Sequence, residues 1–295
     1  MLAGAALPAF FLTAPDLPCT LWIGVGLVFA VSLLEDIHGV AVVCRLAVHV
    51  LAAAIFAVSF FWADFGIAIA IVATLFIVWM TNLFNFMDGS DGLAGGMAVI
   101  GFSIYGVAAW LTGSTDFALL NFSIAAAGSA FLLDNFHPAR VFMGDSGAIS
   151  LGFLVAVLGL IGWRNGDWEL WFPLLVFSPF FVDASITLAR RIVAREIFWE
   201  PHCDHYYQRL VLLGWGHRGT ALAEYGLMLA CGGLALVARS ASLEIQVFVL
   251  CVIALLYATL IAAVHRSWHK SIRSKQSNNA RPAASGRHDT PLSGQ

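Results

Sequence analysis

VVCRLAVHVLAAAIFAVSFFWADFGIAIAIVATLFIVWM, residues 42–80, is the stretch that decides the fold. It contains two apolar runs, Val42–Phe61 and Phe65–Met80, which are separated only by Trp62–Asp64. A helix needs about 17–25 mostly apolar residues to cross a bilayer. Both runs are near this length, and neither alternates apolar with polar residues as a barrel strand does. The stretch therefore predicts two membrane-spanning helices joined by a short turn.

The composition of the whole chain supports this prediction. The chain has 295 residues, of which 60% are hydrophobic and 11% are charged, and its mean hydropathy is +0.85. Ordinary soluble domains carry about 25% charged residues, so a water-soluble globular protein is excluded. A net charge of −3 and a pI near 6.3 also exclude a basic nucleic-acid binder, and the apolar content excludes a disordered chain.

Apolar runs of this kind recur along the chain. They are Leu17–Leu34, Val42–Phe61, Phe65–Met80, Met97–Leu111, Ala118–Leu133, Ile149–Gly162, Leu170–Ala189, Ala221–Val237 and Leu243–Val264. The predicted fold class is all-α, a polytopic transmembrane helical bundle of about nine spans plus a partial N-terminal segment. Residues 1–268 form the predicted membrane domain, and the polar residues 269–295 are predicted to be a disordered cytoplasmic tail. Residues 1–14 are apolar but too short to span, so we expect a truncated helix or a late start.

The links between the spans form two sets. Short, plain links occupy Trp62–Asp64, Thr112–Phe117, Trp163–Glu169 and Ala238–Ser242. Polar links rich in Gly, Asp, His and Arg occupy Glu35–Ala41, Thr81–Gly96, Asp134–Ala148, Arg190–Thr220 and the tail after His265. Simple alternation places all polar links on one face, which holds every Lys and Arg except Arg164 and Arg239. The positive-inside rule predicts that this face is cytoplasmic.

Acidic residues also concentrate at this face, where acids close to a bilayer tend to mark functional sites. Glu35 and Asp36 directly follow the first span. Taken alone, this pair fits a helix stop at the membrane interface as well as it fits a functional role.

The second acidic cluster is NLFNFMDGSDGLAGG at residues 82–96. On a helix, Asn82 and Asn85 share a face with Asp88, and Asp91 follows three residues later. The glycines let backbone N–H groups approach an anion closely. Carboxylates with amide neighbours suit a hard divalent cation bound through oxygen, so this cluster predicts a functional site.

The third cluster is FMGDSG at residues 142–147, directly before another apolar span. Such a turn presents the Asp145 carboxylate, a hydroxyl and free backbone donors at a helix N-terminus. Phosphate or a phosphate-bound metal fits there. An ordinary N-cap turn explains the pattern equally well.

The fourth cluster is WEPHCDHYYQRL at residues 199–210, in the longest polar link. His202 and His205, with Cys203 and Asp204 nearby, leave zinc open as a weaker alternative, because no second ligand pair has finger-type spacing. The mixture of His, Tyr, Gln and Arg is better suited to a phosphorylated, hydroxyl-rich ligand.

Charged residues also come before this cluster in the chain, among them Asp183, Arg190 and Arg191. Arg190 and Arg191 fit either a phosphate clamp or ordinary interfacial positive charge. Asp183 lies inside the seventh predicted span near its inner end, where we expect it to line a polar cavity or to pair with a nearby arginine.

The four clusters together predict metal-assisted phosphate chemistry at the membrane surface. Mg²⁺ prefers oxygen ligands and bridges carboxylates to substrate phosphates, and Mn²⁺ is able to substitute for it. Catalysis of phosphoryl transfer depends mainly on neutralising charge and aligning the reacting groups, and less on covalent bonds to the protein. A lipid is the expected partner on the membrane side, and a water-soluble phosphate on the other.

These residues carry a resemblance to a known family. The chain resembles the polyprenyl-phosphate N-acetylhexosamine-1-phosphate transferases, which are related to the phospho-N-acetylmuramoyl-pentapeptide transferase of wall synthesis. The resemblance rests on NLFNFMDGSDGLAGG at 82–96, PARVFMGDSGAISLGF at 138–153, and VDASITLARR with HCDHYYQRL across 182–210. It covers roughly residues 17–264, and the form of the histidine motif is closer to the surface-polysaccharide branch.

The resemblance implies how these residues would act on a UDP-N-acetylhexosamine and undecaprenyl phosphate. Asp145 would be the principal Mg²⁺ ligand, with Asp88 as a second. Asp88 and Asp91 would organise metal, nucleotide and catalysis, beside Asn82 and Asn85. The lipid-linked diphosphate sugar would start O-antigen or another surface polysaccharide.

The resemblance implies further roles at the other two clusters. His202 and His205 would contact the sugar-nucleotide diphosphate, with Arg190 and Arg191 as further substrate contacts. Glu35 and Asp36 stand where the family has an Asp-Asp pair proposed to activate the lipid phosphate. Together these roles predict a bacterial inner-membrane enzyme with a cytoplasmic active site.

The sequence departs from the family pattern in two places. Glu35 replaces the first Asp of the pair, and a shift of about 1 Å at a reacting centre can cost roughly 100-fold in rate. Family members also begin with one or two more helices and a basic, glycine-containing loop. We therefore expect a misassigned start or a degenerate copy.

Other hypotheses fit part of the pattern. An alcohol phosphatidyltransferase needs Ala-Arg after its Asp-Gly pair, whereas Leu-Ala-Gly-Gly follows Asp91-Gly92. A membrane transporter would place its acids near mid-membrane, often in paired repeats. An inactive scaffold of the same fold is a third hypothesis, and a homodimer is one assembly that the sequence leaves open.

Overall fold

The computed structural model of the chain describes residues 17–196 and 203–279. This part of the chain is helical throughout, without strands. The helices in chain order are α1 (Cys19–His38), α2 (Val42–Met87), α3 (Leu93–Thr112), α4 (Thr115–Asn135), α5 (Gly144–Asn165), α6 (Trp171–Val176), α7 (Ser178–Val193), α8 (Tyr206–Leu210), a π-helical turn (Val211–Trp215), α9 (Gly216–Ala238) and α10 (Leu243–Asn279). Within the described residues, seven helical segments are long and apolar enough to cross a membrane. The predicted all-α polytopic fold is confirmed.

Helix α2 contains two of the predicted spans. Its 46 residues are interrupted at Gly66, where φ is 79° and ψ is 171°. A residue with a Cβ atom is disfavoured at this φ, so glycine permits the sharp bend. The two halves run in opposite directions, because both Arg45 near the start and Asn85 near the end lie beside Asp145.

The seventh predicted span, Leu170–Ala189, is broken in the structure. The helix stops at Val176 and restarts at Ser178, with Phe177 between α6 and α7 at φ −98° and ψ 18°. Pro179 in the first turn of α7 lacks a backbone donor and suits a helix start rather than an interior. The prediction of a single continuous helix is therefore wrong here.

The structure also corrects the predicted tail. Helix α10 continues to Asn279, so residues 270–279 are helical rather than disordered. The remainder of that tail and the predicted partial helix at residues 1–14 lie outside the described residues.

Helix α5 forms the centre of the bundle. Its residues from Ala148 to Gly162 are buried, and it packs against α1 and both halves of α2. Gly152 makes the closest approach, since a Cβ atom there would lie 2.5 Å from the Met80 carbonyl oxygen. Small residues at such contacts let helix backbones pack tightly in lipid.

Contacts between the links divide the molecule into two ends. The four short links meet at one end. Arg164 bonds to the Phe60 carbonyl and to Asp64, Asp167 accepts hydrogen bonds from Thr112 (2.5 Å) and Ser114 (2.6 Å), and Arg239 donates to the Asp167 carbonyl at 3.2 Å. The polar links meet at the other end, which we call the site end. The predicted alternation of links between two faces is thus visible in the contacts.

Candidate active site

Arg45 connects three helices at the site end. Its guanidinium bonds to the Asp145 carboxylate at the start of α5 and lies 3.6 Å from a carboxylate oxygen of Glu35 near the end of α1. The other carboxylate oxygen of Glu35 accepts the Val40 N–H. The first and third acidic clusters, 109 positions apart between Asp36 and Asp145, therefore meet around one cation.

Asp36 faces the N-terminus of α5. Its carboxylate accepts the backbone N–H groups of Asp145 and Ser146, each at 3.0 Å. Gly144 has a φ of 67°, and a Cβ atom there would lie 3.0 Å from Asp36 Oδ2, so glycine fits this turn best. The donors that the sequence offers to a phosphate are engaged by a carboxylate of the chain itself.

Asp88 follows the last residue of α2. Burial, and then the charge of Asp145, raise the pKa of Asp88 from 3.8 to about 7. Asn85 lies one turn earlier, with its side chain hydrogen-bonded to Asp145. Asn82 lies a further turn back, where it donates to the Val78 carbonyl at 2.7 Å. Of the predicted residues on this helix, Asn85 and Asp88 reach Asp145, whereas Asn82 bonds within its own helix.

Asp91 belongs to a separate polar group. Its carboxylate bonds to His137 Nδ1 at 2.6 Å and to the Ala139 N–H at 3.2 Å. Burial alone would raise the pKa of Asp91, but the His137 and Ala139 hydrogen bonds lower it below its ordinary value. The His137 ring stacks on His217 at 5.9 Å, and His217 Nδ1 lies 2.9 Å from the Ser90 hydroxyl.

The described part of the fourth cluster, residues 203–210, approaches the segment that carries Asp88, and we call it the histidine loop. His205 is flanked by the rings of Phe86 and Tyr207, with centroids 6.3 Å and 5.8 Å away. The Tyr207 hydroxyl donates to the Phe86 carbonyl at 3.2 Å. His202, the other predicted histidine, lies outside the described residues.

Arg190 and Arg191 lie at the end of α7 beside the same loop. Arg190 donates to the Tyr206 hydroxyl at 3.3 Å, and its guanidinium lies 5.7 Å from the centroid of that ring. Arg191 pairs with Asp204 and, at 3.0 Å, with Glu196. Both arginines thus contact side chains of the histidine loop, which are Tyr206 for Arg190 and Asp204 for Arg191.

The side chains around Asp145 offer oxygen ligands for a metal ion. Across residues 17–196 and 203–279, no three His, Cys, Asp or Glu side chains are gathered to hold an ion. Mg²⁺ commonly uses only one or two carboxylates, and water and substrate phosphates fill its other positions. Asp88 and Asp145 lie close enough for one charge to raise the other's pKa, with the Asn85 amide beside them. This set fits a hard cation that arrives with a phosphate.

Sequence reasoning missed several residues of the site end. Arg45 lies at the start of an apolar span, where a charged side chain is itself a signal. His217 and Tyr207 lie far along the chain from their partners, so no local pattern could show that they would meet.

The fold and the site define a polytopic helical membrane protein with an acidic and basic polar site at one end of its bundle. Residues 19–163 match the model of glycosyl transferase family 4. Over these residues the chain belongs to glycosyl transferase family 4.

Relatives agree with this assignment. The chain is 31% identical over 195 residues to a probable undecaprenyl-phosphate N-acetylglucosaminyl 1-phosphate transferase of Bacillus subtilis strain 168. This match covers 65% of the chain and 54% of the relative. It is 36% identical over 159 residues to a phospho-N-acetylmuramoyl-pentapeptide-transferase of Symbiobacterium thermophilum, covering 52% and 45%. It is 29% identical over 178 residues to the phospho-N-acetylmuramoyl-pentapeptide-transferase of Anoxybacillus flavithermus, and this match covers 58% of the chain and 52% of the relative. The chain thus spans about half the length of the curated relatives it matches.

Proposed function

We propose that the chain transfers a sugar 1-phosphate from a nucleotide sugar to a polyprenyl phosphate, in the inner membrane of a bacterium. The observation that carries this proposal is the convergence of Asp36, Asp88 and Asp145 at one end of an apolar bundle, where Arg45 bonds to Asp145. Three separate segments supply these groups. Such an array suits a diphosphate held next to a lipid headgroup.

The proposed donor is a UDP-N-acetylhexosamine, and the proposed acceptor is undecaprenyl phosphate. An oxygen of the lipid phosphate forms a bond to the β-phosphorus of the donor. The bond from that phosphorus to the bridging oxygen breaks, and UMP leaves with that oxygen. The product is an undecaprenyl-diphosphate sugar, which would begin an O-antigen or another surface polysaccharide. The names of these relatives support a polyprenyl phosphate acceptor and the transfer of a phosphorylated amino sugar.

The residues that would hold Mg²⁺ are Asp145 and Asp88, and Mn²⁺ would serve as a substitute. When bound, the ion neutralises charge on the diphosphate. Arg45 balances the charges of Asp145 and Glu35. A guanidinium can also bind a phosphate with several N–H groups, so Arg45 would be a further contact for the donor diphosphate.

The remaining groups would orient the two substrates. Glu35 and Asp36 lie next to Asp145 and would face the attacking lipid phosphate, with Asp36 as a candidate proton acceptor. Asp91 keeps its negative charge, because the His137 hydrogen bond lowers its pKa, and so it would bind a donor group of the nucleotide. His205 and the arginines beside it would contact the donor diphosphate.

The site end is proposed to be cytoplasmic, because it carries most of the basic residues. The nucleotide sugar is made in the cytoplasm, so this orientation gives the donor direct access. A transporter of the same fold is the alternative function, and it predicts no UMP release.

The test is UMP formation by membranes that contain the chain. Membranes supplied with undecaprenyl phosphate and UDP-N-acetylglucosamine are expected to release UMP only when Mg²⁺ is present. Asp145→Asn is expected to lower the rate by about 100-fold. Asp116→Asn, an exposed acid at the opposite end, is the matched control and should retain full rate. Full activity of Asp145→Asn would refute the metal assignment, and no UMP from any UDP-N-acetylhexosamine would refute the function.

A further inference from the structure

Asp183 is a buried carboxylate in α7 whose hydrogen bonds go to the histidine loop. It is 7% exposed. One oxygen accepts the Tyr206 N–H at 2.9 Å and contacts His205 Nδ1 at 3.1 Å, and the other accepts the Tyr207 N–H at 2.9 Å. The Thr187 hydroxyl, one turn along α7, adds a bond at 3.1 Å. Asp183 thus joins α7 to the start of the helical run Tyr206–Ala238.

Burying a carboxylate in this way is costly unless its oxygens are fully hydrogen-bonded. The two backbone N–H groups lie at the beginning of a helix, where donors lack partners within the helix and the dipole favours negative charge. Asp183 supplies that charge from a different helix. The carboxylate and the loop therefore stabilise each other, and neither conformation is expected to persist without the other.

The His205 imidazole that Asp183 contacts is also buried, with its side chain 6% exposed. It is held between Phe86 and Tyr207, and the Tyr207 hydroxyl reaches back to the Phe86 carbonyl. Phe86 lies two residues before Asp88. A Cβ atom on Gly89 would lie 2.2 Å from the Tyr207 hydroxyl, so the loop touches this segment directly.

We propose that Asp183 is a positioning residue for the transferase reaction. It acts through His205 and the Tyr206 and Tyr207 amides to set the imidazole at a fixed place above the Asp88 segment. The ligand positioned in this way is the diphosphate of the nucleotide sugar. This inference rests on the proposed function, because it assigns His205 to the donor substrate.

A double-mutant cycle tests the proposal. Asp183→Asn keeps the size of the side chain but replaces one acceptor with a donor facing an N–H group. We expect it to lower kcat/KM for UDP-N-acetylglucosamine by about 10–100-fold, mostly through KM, as for other residues that orient a ligating histidine. In a His205→Ala background, Asp183→Asn should cause less than about a threefold further loss, since its effect passes through the imidazole.

The matched control is Asp167→Asn at the opposite end. Asp167 is also a buried carboxylate, 2% exposed, and it also accepts hydrogen bonds from Thr112 at the end of α3 and from Ser114 just before α4. This variant should lower thermal stability without changing KM. An equal KM change in both variants would overturn the proposal, as would an Asp183→Asn loss that is just as large in the His205→Ala background.

A second variant covers the case in which Asp183→Asn does not fold. Thr187→Val removes one hydrogen bond from Asp183 and leaves the loop sequence intact. It is expected to raise KM by a smaller factor and to leave kcat unchanged. An unchanged KM in Thr187→Val, together with an unfolded Asp183→Asn, would overturn the positioning role in favour of a purely structural one.

Hydrogen exchange separates this inference from the proposed function. The Tyr206 and Tyr207 amides should be protected in the unmodified chain and should exchange at least about tenfold faster in Thr187→Val or Asp183→Asn. If these amides respond but no UMP forms from any donor, the proposed function fails while the loop anchor stands. If UMP forms and the effects of the two substitutions are additive, the proposed function stands while the positioning role of Asp183 fails.

Discussion

At the scale of single residues, the site end is organised by compensation between charges. Arg45 lies between Glu35 and Asp145, and Asp36 is neutralised in part by a helix N-terminus. Opposite charges that lie close together attract each other strongly in a site that holds little water. The acidic residues can therefore stay near one another before any cation from solution is bound.

The first prediction concerns Arg45. In Arg45→Gln, Asp145 and Glu35 lose their internal cation, so Mg²⁺ should bind without competition. We expect the half-saturating Mg²⁺ concentration for UMP formation to fall several-fold, while the maximal rate falls by about tenfold or more because a phosphate contact is lost. Arg45→Lys should keep more of the rate. Arg164→Gln, whose partner Asp64 lies at the opposite end, is the control. A higher Mg²⁺ requirement in Arg45→Gln would contradict this account.

The second prediction follows from the raised pKa of Asp88. The folded chain holds this proton up to a pH of about 7, whereas the unfolded chain releases it near 3.8. Between these values the folded state binds more protons, so the free energy of unfolding falls as pH rises through this window. Ionised Asp88 is thus destabilising without metal.

Thermal melting in detergent with a chelator measures this effect. Asp88→Asn should melt above the unmodified chain at pH 8 by at least about 2 °C, and the difference should vanish near pH 4. Adding Mg²⁺ at pH 8 should stabilise the unmodified chain more than the variant. Asp116→Asn should show no such pH dependence. A lower melting temperature for Asp88→Asn at pH 8 would contradict the sign.

At the scale of helices, the bundle depends on close approach between α5 and the returning half of α2. A Cβ atom at Gly152 would meet the Met80 carbonyl, the Thr81 Cα and the Phe84 Cβ, two of which belong to the backbone. Backbone atoms cannot move aside as a flexible side chain can. The contact therefore sets how near Asn85 and Asp88 come to Asp145.

The third prediction tests this contact. Gly152→Ala should lower the free energy of unfolding by about 1–3 kcal/mol, the usual cost of overpacking, and should also weaken Mg²⁺ binding because the helices separate. Gly233→Ala in α9 is the control, since nothing lies within 4 Å of its Cβ position and alanine favours helix. Equal melting temperatures for both variants would show that the α5–α2 contact tolerates a methyl group.

Helix existence could be predicted from apolar length, but helix interruptions could not. The run Leu170–Ala189 is mostly apolar, and Pro173 and Pro179 both permit helix near an N-terminus, so the break at Phe177 depends on packing. Residues 270–279 were predicted to be disordered because they are polar, yet they extend a long helix. Adding residues to an existing helix is easier than nucleating a new one.

The site was predictable where residues act locally. Asp88, Asp91 and Asp145 lie in glycine-rich links whose composition marks them, and the structure brings Asp88 and Asp145 together. The sequence could not show that Asp36 would cap α5, or that Asp183 would anchor the histidine loop. Both contacts join residues far apart in the chain, so their partners depend on tertiary packing.

At the scale of the whole molecule, the two ends differ in chemistry, and this difference should set orientation in the membrane. The site end carries the basic links, whereas the opposite end carries Asp64, Asp116 and Asp167 with Arg164 and Arg239. The positive-inside rule then predicts that the site end faces the cytoplasm.

The fourth prediction tests that orientation by cysteine labelling in intact cells. Cys203 is exposed at the site end, and the other native cysteines can be replaced by serine or alanine. A membrane-impermeant maleimide should leave Cys203 unmodified until the membrane is permeabilised. Asp116→Cys, in a chain without Cys203, should react in intact cells. The opposite pattern would place the site outside the cytoplasm and rule out the proposed donor.

The contact between Tyr207 and the segment Phe86–Gly89 has a consequence for how such proteins could be recombined. The match to the family model covers residues 19–163, so Phe86–Gly89 lies inside the matched part and Tyr207 lies outside it. Grafting residues 178–210 from another member would exchange the segment that we propose to bind the donor. The graft would need a side chain at position 207 that fits over Gly89, because a Cβ atom there would lie 2.2 Å from the Tyr207 hydroxyl.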